Sequence, residues 1–167
     1  MDNFGDFELL KILREIPFRR RVYLAKKGKS HFILKIFNLK KEYLKELKGG
    51  LILNESGVLT PKILSFGEKN TEFFIVFEYI NNAISLEDYF KSNQGSIKKN
   101  IIKDLFQINM ILHRLNIIQK DNHLKNYMIS KNNIYVIDGG MIKKIKFLTS
   151  LRKLINFALL ESKIDQA

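Results

Sequence analysis

Apolar positions along the chain switch between a two-residue period and a helical period, and the order of the switches sets the architecture. Phe7 to Ile16 carries Phe7, Leu9, Leu10, Ile12 and Leu13 in an uneven alternation that fits a first strand or a short helix. Arg21 to Ala25 (RVYLA) reads as a strand, Lys26-Lys27-Gly28-Lys29 as a turn, and Ser30 to Phe37 (SHFILKIF) as the next strand. From Asn38 to Ser56 the period lengthens, and Tyr43, Leu44, Leu47 and Leu51 form the apolar stripe of a helix. Gly49-Gly50 weakens that helix by about 1 kcal/mol per glycine and marks a candidate bend. Ile63 to Gly67 and Glu72 to Tyr79 return to strand character as a hairpin, and Ser85-Leu86-Glu87-Asp88 resembles the capped start of a short helix. Ser96 to Asn116 is a long amphipathic helix with Ile97, Ile101, Leu105, Ile108, Leu112 and Leu115 on one face. A second hairpin follows, with Tyr127 to Ile129 as one strand, Ser130 to Asn133 as the turn and Ile134 to Ile137 as the return. The tail, Met141 to Leu160, is a basic amphipathic segment. It is expected to pack as a helix with Phe147, Leu151, Leu154 and Leu160 inward and Lys143, Lys144, Lys146 and Arg152 exposed.

Composition narrows the class. At 167 residues the chain is about one domain, and with 46% hydrophobic residues it can bury a substantial core. It has no cysteine, which rules out disulfides, thiol chemistry and Cys-type zinc sites. The start, MDNFGDFELLK, lacks the basic and apolar regions of a signal peptide, and no stretch approaches ~18 apolar residues free of charge. A cytoplasmic location is the expectation. The net charge of +12 suits a solvated Lys-rich surface, and equally an acidic partner, a phosphorylated substrate, nucleic acid or an anionic membrane face.

The candidate chemistry lies in two places. Asp121-Asn122-His123-Leu124-Lys125-Asn126 is a polar loop closing the long helix, and Asp138-Gly139-Gly140 directly follows the second hairpin. Asp121 and Asn126 are five apart and Asp138 lies seventeen beyond Asp121, so the loop and hairpin can bring all three side chains together. A carboxylate can receive a hydroxyl proton, while an amide oxygen and a second carboxylate are hard ligands suited to Mg²⁺. Upstream, Lys35 sits among Ile33, Leu34, Ile36 and Phe37, where an isolated ammonium is costly and calls for a carboxylate or phosphate partner. His31 and His113 show no metal-ligand spacing and read as structural.

Together these residues resemble the protein-kinase-like superfamily. Asp121, Asn126 and Asp138 stand at the spacing of the catalytic Asp, the metal-binding Asn and the Asp of Asp-Phe-Gly, and Phe32-Ile33-Leu34-Lys35 resembles the third-strand V-A-I-K. The resemblance spans Phe7 to about Gly140. It implies an α+β, minimal two-lobed kinase-like fold in one domain, with an antiparallel sheet and one helix in an N-lobe (1–80) and a reduced helical C-lobe (81–167). It further implies that Glu46, eleven residues after Lys35, pairs with it, with Glu42 as runner-up. Glu78-Tyr79-Ile80 falls at the hinge whose backbone meets adenine, so Glu78 and Ile80 join Lys35, Asn126 and Asp138 as ATP-binding candidates. The implied catalytic residues are Asp121, Lys35 and Glu46. The implied cofactors are ATP and Mg²⁺, with Asn126 and Asp138 as metal ligands.

The sequence departs from ordinary protein kinases in several places. No glycine occurs between Gly5 and Gly28, where a Gly-rich phosphate loop belongs, and Arg19-Arg20-Arg21 there reads as a phosphate contact or a solvated run. Gln119 replaces the His before the catalytic Asp, Asp138-Gly139-Gly140 replaces Asp-Phe-Gly, and only 27 residues follow Gly140. The DxHxxN loop looks like aminoglycoside phosphotransferases and lipopolysaccharide core kinases, and the basic tail is similar to the end of core heptose and Kdo kinases. This implies a kinase for a sugar hydroxyl, on a lipid-linked saccharide at the cytoplasmic face of the inner membrane. A minimal RIO-like or effector-type protein kinase and a nucleotide-binding pseudokinase are the other readings.

Overall fold

The computed structural model describes residues 3–92 and 96–166, apart from the side chains of 96–98. Its first half is an antiparallel sheet in the order β1-β2-β3-β4-β6-β5, built from β1 (Asn3–Phe4), β2 (Phe7–Ile16), β3 (Arg20–Lys27), β4 (Ser30–Phe37), β5 (Ile63–Lys69) and β6 (Glu72–Glu78). Phe7–Ile16 is thus a strand, its uneven alternation matched by register shifts against β3 at Leu9/Lys11 and Ile12/Arg14. One sheet face buries Ala25, Leu34, Ile36 and Val76 beneath Phe4, Phe7 and Phe74. The other buries Phe37, Ile75 and Phe77 against Tyr43 of helix α1 (Lys40–Glu55). The pleat puts Lys35 on this second face, since it lies two residues from both Ile33 and Phe37 and alternates with Leu34 and Ile36.

The second half is mostly helical. α2 (Leu86–Ser92) and α3 (Ser96–Arg114) precede the Asp121 loop, and α4 (Ser150–Asp165) closes the described chain. Two small sheets hold the loops between them. β7 (Ile84–Ser85), β9 (Tyr127–Ser130) and β10 (Asn133–Val136) form one, and β8 (Ile117–Gln119) pairs with β11 (Ile142–Lys144) in the other. The return strand ends at Val136, one residue short of the expected Ile137. The core here combines Leu105 and Leu112 of α3, Phe90, Tyr127, Val136 and Leu160. Leu53 of α1 joins it, so the helix is seated in both halves. Of the expected α3 stripe, Ile101, Leu105 and Leu112 are buried and Leu115 is exposed. Ile97 lies outside the described side chains.

Two apolar stripes face differently from expectation. In α1, Leu44 and Leu51 are exposed, and the buried face is Tyr43, Glu46, Gly49, Gly50 and Leu53. An ion-pairing glutamate and two glycines occupy the face that leucines were expected to fill, because this side meets Lys35 and the backbone of the Asp138 loop. In the tail, Leu160 is buried as expected, but Phe147, Leu151 and Leu154 are 75%, 66% and 65% exposed. The inward face of α4 is instead Asn156, Leu160 and Ile164, and Lys143, Lys144, Lys146 and Arg152 are exposed as expected. Asn156 fixes this rotation: its Nδ2 donates to the Gln119 carbonyl at 2.8 Å, and its Oδ1 lies 2.8 Å from His113 Nε2.

Candidate active site

A cleft of about 390 Å³ opens between the sheet and the helical half. Val22 and Leu24 line one wall, Met128 and Ile137 another, and Lys35 and Asp138 also line it. A cavity of that size with apolar walls and a few convergent charges suits a flat apolar body carrying an anionic end.

Lys35 reaches its place because β3 and β4 pair Val22 with Lys35 and Arg20 with Phe37, on the face turned to α1. There Lys35 Nζ pairs with Glu46, which is 1% exposed. Glu42, the alternative partner, is taken by Arg19. Burial works against a charged Glu46. Lys35 outweighs it, helped by the Gly140 N–H donating to Oε2 at 2.9 Å, and the carboxyl is held below the usual range. Asp138 takes the opposite direction: burial and the neighbouring Glu46 raise it against Lys35 and Arg20.

The Asp121 loop and the Asp138 loop are joined at their bases. β8 pairs with β11, Lys120 N–H donates to the Met141 carbonyl at 2.9 Å, and Ile137 N–H donates to the Asn126 carbonyl at 2.9 Å. Asn126 is therefore tied by its backbone to the residue before Asp138. Its Nδ2 donates to the Asp121 carbonyl at 2.8 Å, which leaves the amide oxygen as its remaining donor to a cation. Asp138 sits at φ 67°, a left-handed position strained for a non-glycine residue, and its buried Oδ1 has no hydrogen-bond partner. An amide oxygen and an unspent carboxylate oxygen are a chemically fitting pair for Mg²⁺. Asp121 itself is exposed.

The hinge segment divides. Tyr79 and Ile80 line the cleft, whereas the Glu78 side chain is exposed and does not. The Glu78 N–H is spent on the Lys62 carbonyl at 2.9 Å, and Oε2 accepts from Lys62 N–H at 3.3 Å. Only the carbonyl of Glu78 can therefore serve a ligand here. The arginine run also divides: Arg19 pairs with Glu42, Arg21 with Glu72, and Arg20 alone turns into the site.

The sequence reading missed how α1 meets the Asp138 loop. A Cβ on Gly49 would lie 1.7 Å from the Gly139 carbonyl oxygen, and one on Gly139 would lie 2.4 Å from Gly50 N. The helix stays continuous through both glycines, so they mark a close backbone approach rather than a bend. Gly49→Ala is expected to destabilise the fold by about 1–3 kcal/mol through overpacking, although alanine is the better helix former by about 1 kcal/mol. Urea unfolding checks the sign: a stabilised variant would mean that helix and loop are not in contact.

A buried polar network under the Asp121 loop was missed too. Asn109 Nδ2 donates to Tyr127 Oη at 3.2 Å, Tyr127 Oη donates to Asn122 Oδ1 at 3.2 Å, and Asn122 Nδ2 donates to the Asn156 carbonyl at 2.9 Å. Burial lowers the His113 pKa, keeping it neutral beside Asn156. The residues' polarity within apolar stretches was the available signal. These bonds hold α3, α4 and the loop in one frame.

A strand-rich half with one helix, a helical half, and a lysine–glutamate pair facing a loop aspartate define the protein-kinase-like fold in a minimal two-lobed form. Within that fold the chain is similar to WaaP, solved in complex with acyl carrier protein, at 19% identity and a TM-score of 0.72. That match covers 93% of this chain and 71% of the other. It is also similar to the Cydia pomonella granulovirus kinase PK-1, at 24% identity and a TM-score of 0.68, over 85% of this chain and 56% of that one. At such identities the likeness is one of fold. No protein-family model matches the sequence, and no curated protein matches it.

Proposed function

We propose that the protein is an ATP- and Mg²⁺-dependent phosphotransferase acting on a hydroxyl acceptor, a sugar of a lipopolysaccharide-type glycolipid. The observation that carries this reading is the convergence on one cleft of Lys35, held by Glu46, and Asp138, with an unspent carboxylate oxygen. The apolar walls would take the adenine, with Ile80 and the Glu78 carbonyl at its edge, and Lys35 would meet the phosphates. Asn126 and Asp138 would hold the Mg²⁺, which when bound neutralises phosphate charge. Asp121 orients the acceptor hydroxyl and receives its proton late. The new P–O bond forms at that oxygen as the bond to the departing nucleoside diphosphate breaks. The likeness to a viral kinase supports a second reading, a minimal protein kinase. Transfer of labelled γ-phosphate to a panel of sugars, glycolipids and proteins, with and without Mg²⁺, separates the two. Failure of the protein to bind ATP with Mg²⁺ in calorimetry would defeat both.

A placement at a membrane face would rest on α4 and on the segment from β11 that leads into it. Among the described residues no helix is long and apolar enough to cross a membrane. Phe147, Leu151, Leu154 and Ile155 are instead exposed, and so are Lys143, Lys144, Lys146 and Arg152 in the same stretch of chain. Apolar residues flanked by cations suit the headgroup region of an anionic bilayer. At ~1 kcal/mol per charge, neutralising Lys143, Lys144 and Lys146 should weaken binding to phosphatidylserine vesicles about a hundredfold at low salt. Unchanged cosedimentation would leave these charges a role in solubility alone.

A further inference from the structure

We propose that Arg20 grips the phosphates of the bound nucleotide, with its guanidinium replacing the backbone cradle of a Gly-rich loop. The proposal rests on the phosphotransferase reading above and adds a residue to that site. The connection between β2 and β3 is Pro17-Phe18-Arg19. Pro17 has no N–H, and the Arg19 N–H is spent on the Ile16 carbonyl at 3.0 Å, so two of the three tip residues offer no backbone donor. Phe18 is 90% exposed at φ 58°. A nest of successive amides, the usual device for phosphate here, cannot form on such a tip.

Arg20 is built the other way. The register sets it across from Phe37 and two residues before Val22, which faces Lys35, so its side chain shares the cleft-side face with Lys35. That side chain is only 17% exposed. Its Nη atoms lie 3.9 Å from Glu46 Oε2 and 3.9 Å from Asp138 Oδ2, close enough for attraction and too far for hydrogen bonds. Its Nε is buried without a hydrogen-bond partner. A nearly buried guanidinium with unspent donors, between the Lys35 partner and the candidate metal carboxylate, is matched by a phosphate, whose oxygens take the planar fork in bidentate fashion. Arg19 and Arg21 are engaged by Glu42 and Glu72, so of the run Arg20 alone stands beside Glu46 and Asp138, next to the cleft that Lys35 and Asp138 line.

The test is equilibrium binding of adenosine, ADP and ATP, each with Mg²⁺, to the wild type, Arg20→Gln and Arg20→Lys, with each variant's fold checked by thermal unfolding. Loss of charge-assisted hydrogen bonds predicts ADP and ATP binding to Arg20→Gln about 10- to 100-fold weaker, with adenosine affinity unchanged. Arg20→Lys, which keeps the charge and loses the fork, should recover part of the loss. Arg20→Gln keeping the wild-type ratio of ATP to adenosine affinity overturns the proposal and leaves the phosphotransferase reading standing. Equal weakening of all three ligands would make Arg20 a counter-charge for Glu46 and Asp138 alone, and also overturns it. A wild type that binds none of the three overturns the proposal together with the reading beneath it.

Discussion

Replacing Asp121 by Asn is expected to slow turnover by about 10²–10⁴-fold while leaving ATP affinity nearly unchanged. The substitution keeps the side chain's shape and removes the group that would receive the hydroxyl proton. The frame around it should survive, because Asn126 is anchored on the Asp121 backbone carbonyl at 2.8 Å and not on the carboxylate. The Asp121 side chain is also exposed, so its neutralisation leaves no buried charge behind. Steady-state kinetics on the true acceptor, paired with nucleotide titration, separate the two effects. Full transfer activity in the variant would place the catalytic base elsewhere.

Lys35→Met should give the largest loss of stability. Removing one partner of a buried pair typically costs about 3–5 kcal/mol, since the other charge is stranded. Glu46 would keep the Gly140 N–H and Arg20 at 3.9 Å, which places the expected cost at the lower end of that range. Adding Glu46→Gln should recover part of it in urea unfolding. The pH dependence gives a second check. In the wild type Glu46 is held below its ordinary range. Its contribution is therefore present above the ordinary carboxylate range and lost as pH falls through the lowered folded value. In Lys35→Met burial is opposed by the Gly140 N–H and the Asp138 side chain without the lysine's charge, so mild acid, by protonating Glu46, should relieve the variant. A Lys35→Met protein as stable as the wild type at neutral pH would mean that the pair is not formed in solution.

That Lys35 needs a partner was legible because a lysine within SHFILKIF cannot be buried alone, whereas the choice of Glu46 over Glu42 came from the family resemblance. Strands β3 to β6, β9 and β10 were legible from their apolar runs and turns, whereas Phe7–Ile16 fitted strand or helix alike and the two- and three-residue strands β1, β7, β8 and β11 are too short to show a period. The rotation of α4 was not. That helix carries two apolar stripes, one through Leu151, Leu154 and Ile155 and one through Leu160 and Ile164, and apolar period alone does not rank them. The choice falls to Asn156, whose bonds to Gln119 and His113 form only in the folded chain. Glycines 49 and 139 escaped for a related reason: a glycine in a helix reads as weakness until the backbone pressed against it is known. Arg20 differs from Arg19 and Arg21 only by the strand register, which composition does not carry.

The meeting of Gly49 with Gly139 has a consequence for how such a molecule could be governed. In protein kinases the aromatic side chain after the metal-binding aspartate packs in alternative ways, and its packing sets active or inactive forms. Here the residue after Asp138 is a buried glycine pressed on the backbone of α1, and the next one, Gly140, donates to Glu46 at 2.9 Å. There is no side chain at 139 to relocate, and the contact leaves no room to add one. A switch of that kind has no side chain to act through at position 139, and the backbone contact with α1 itself takes the place of the aromatic packing.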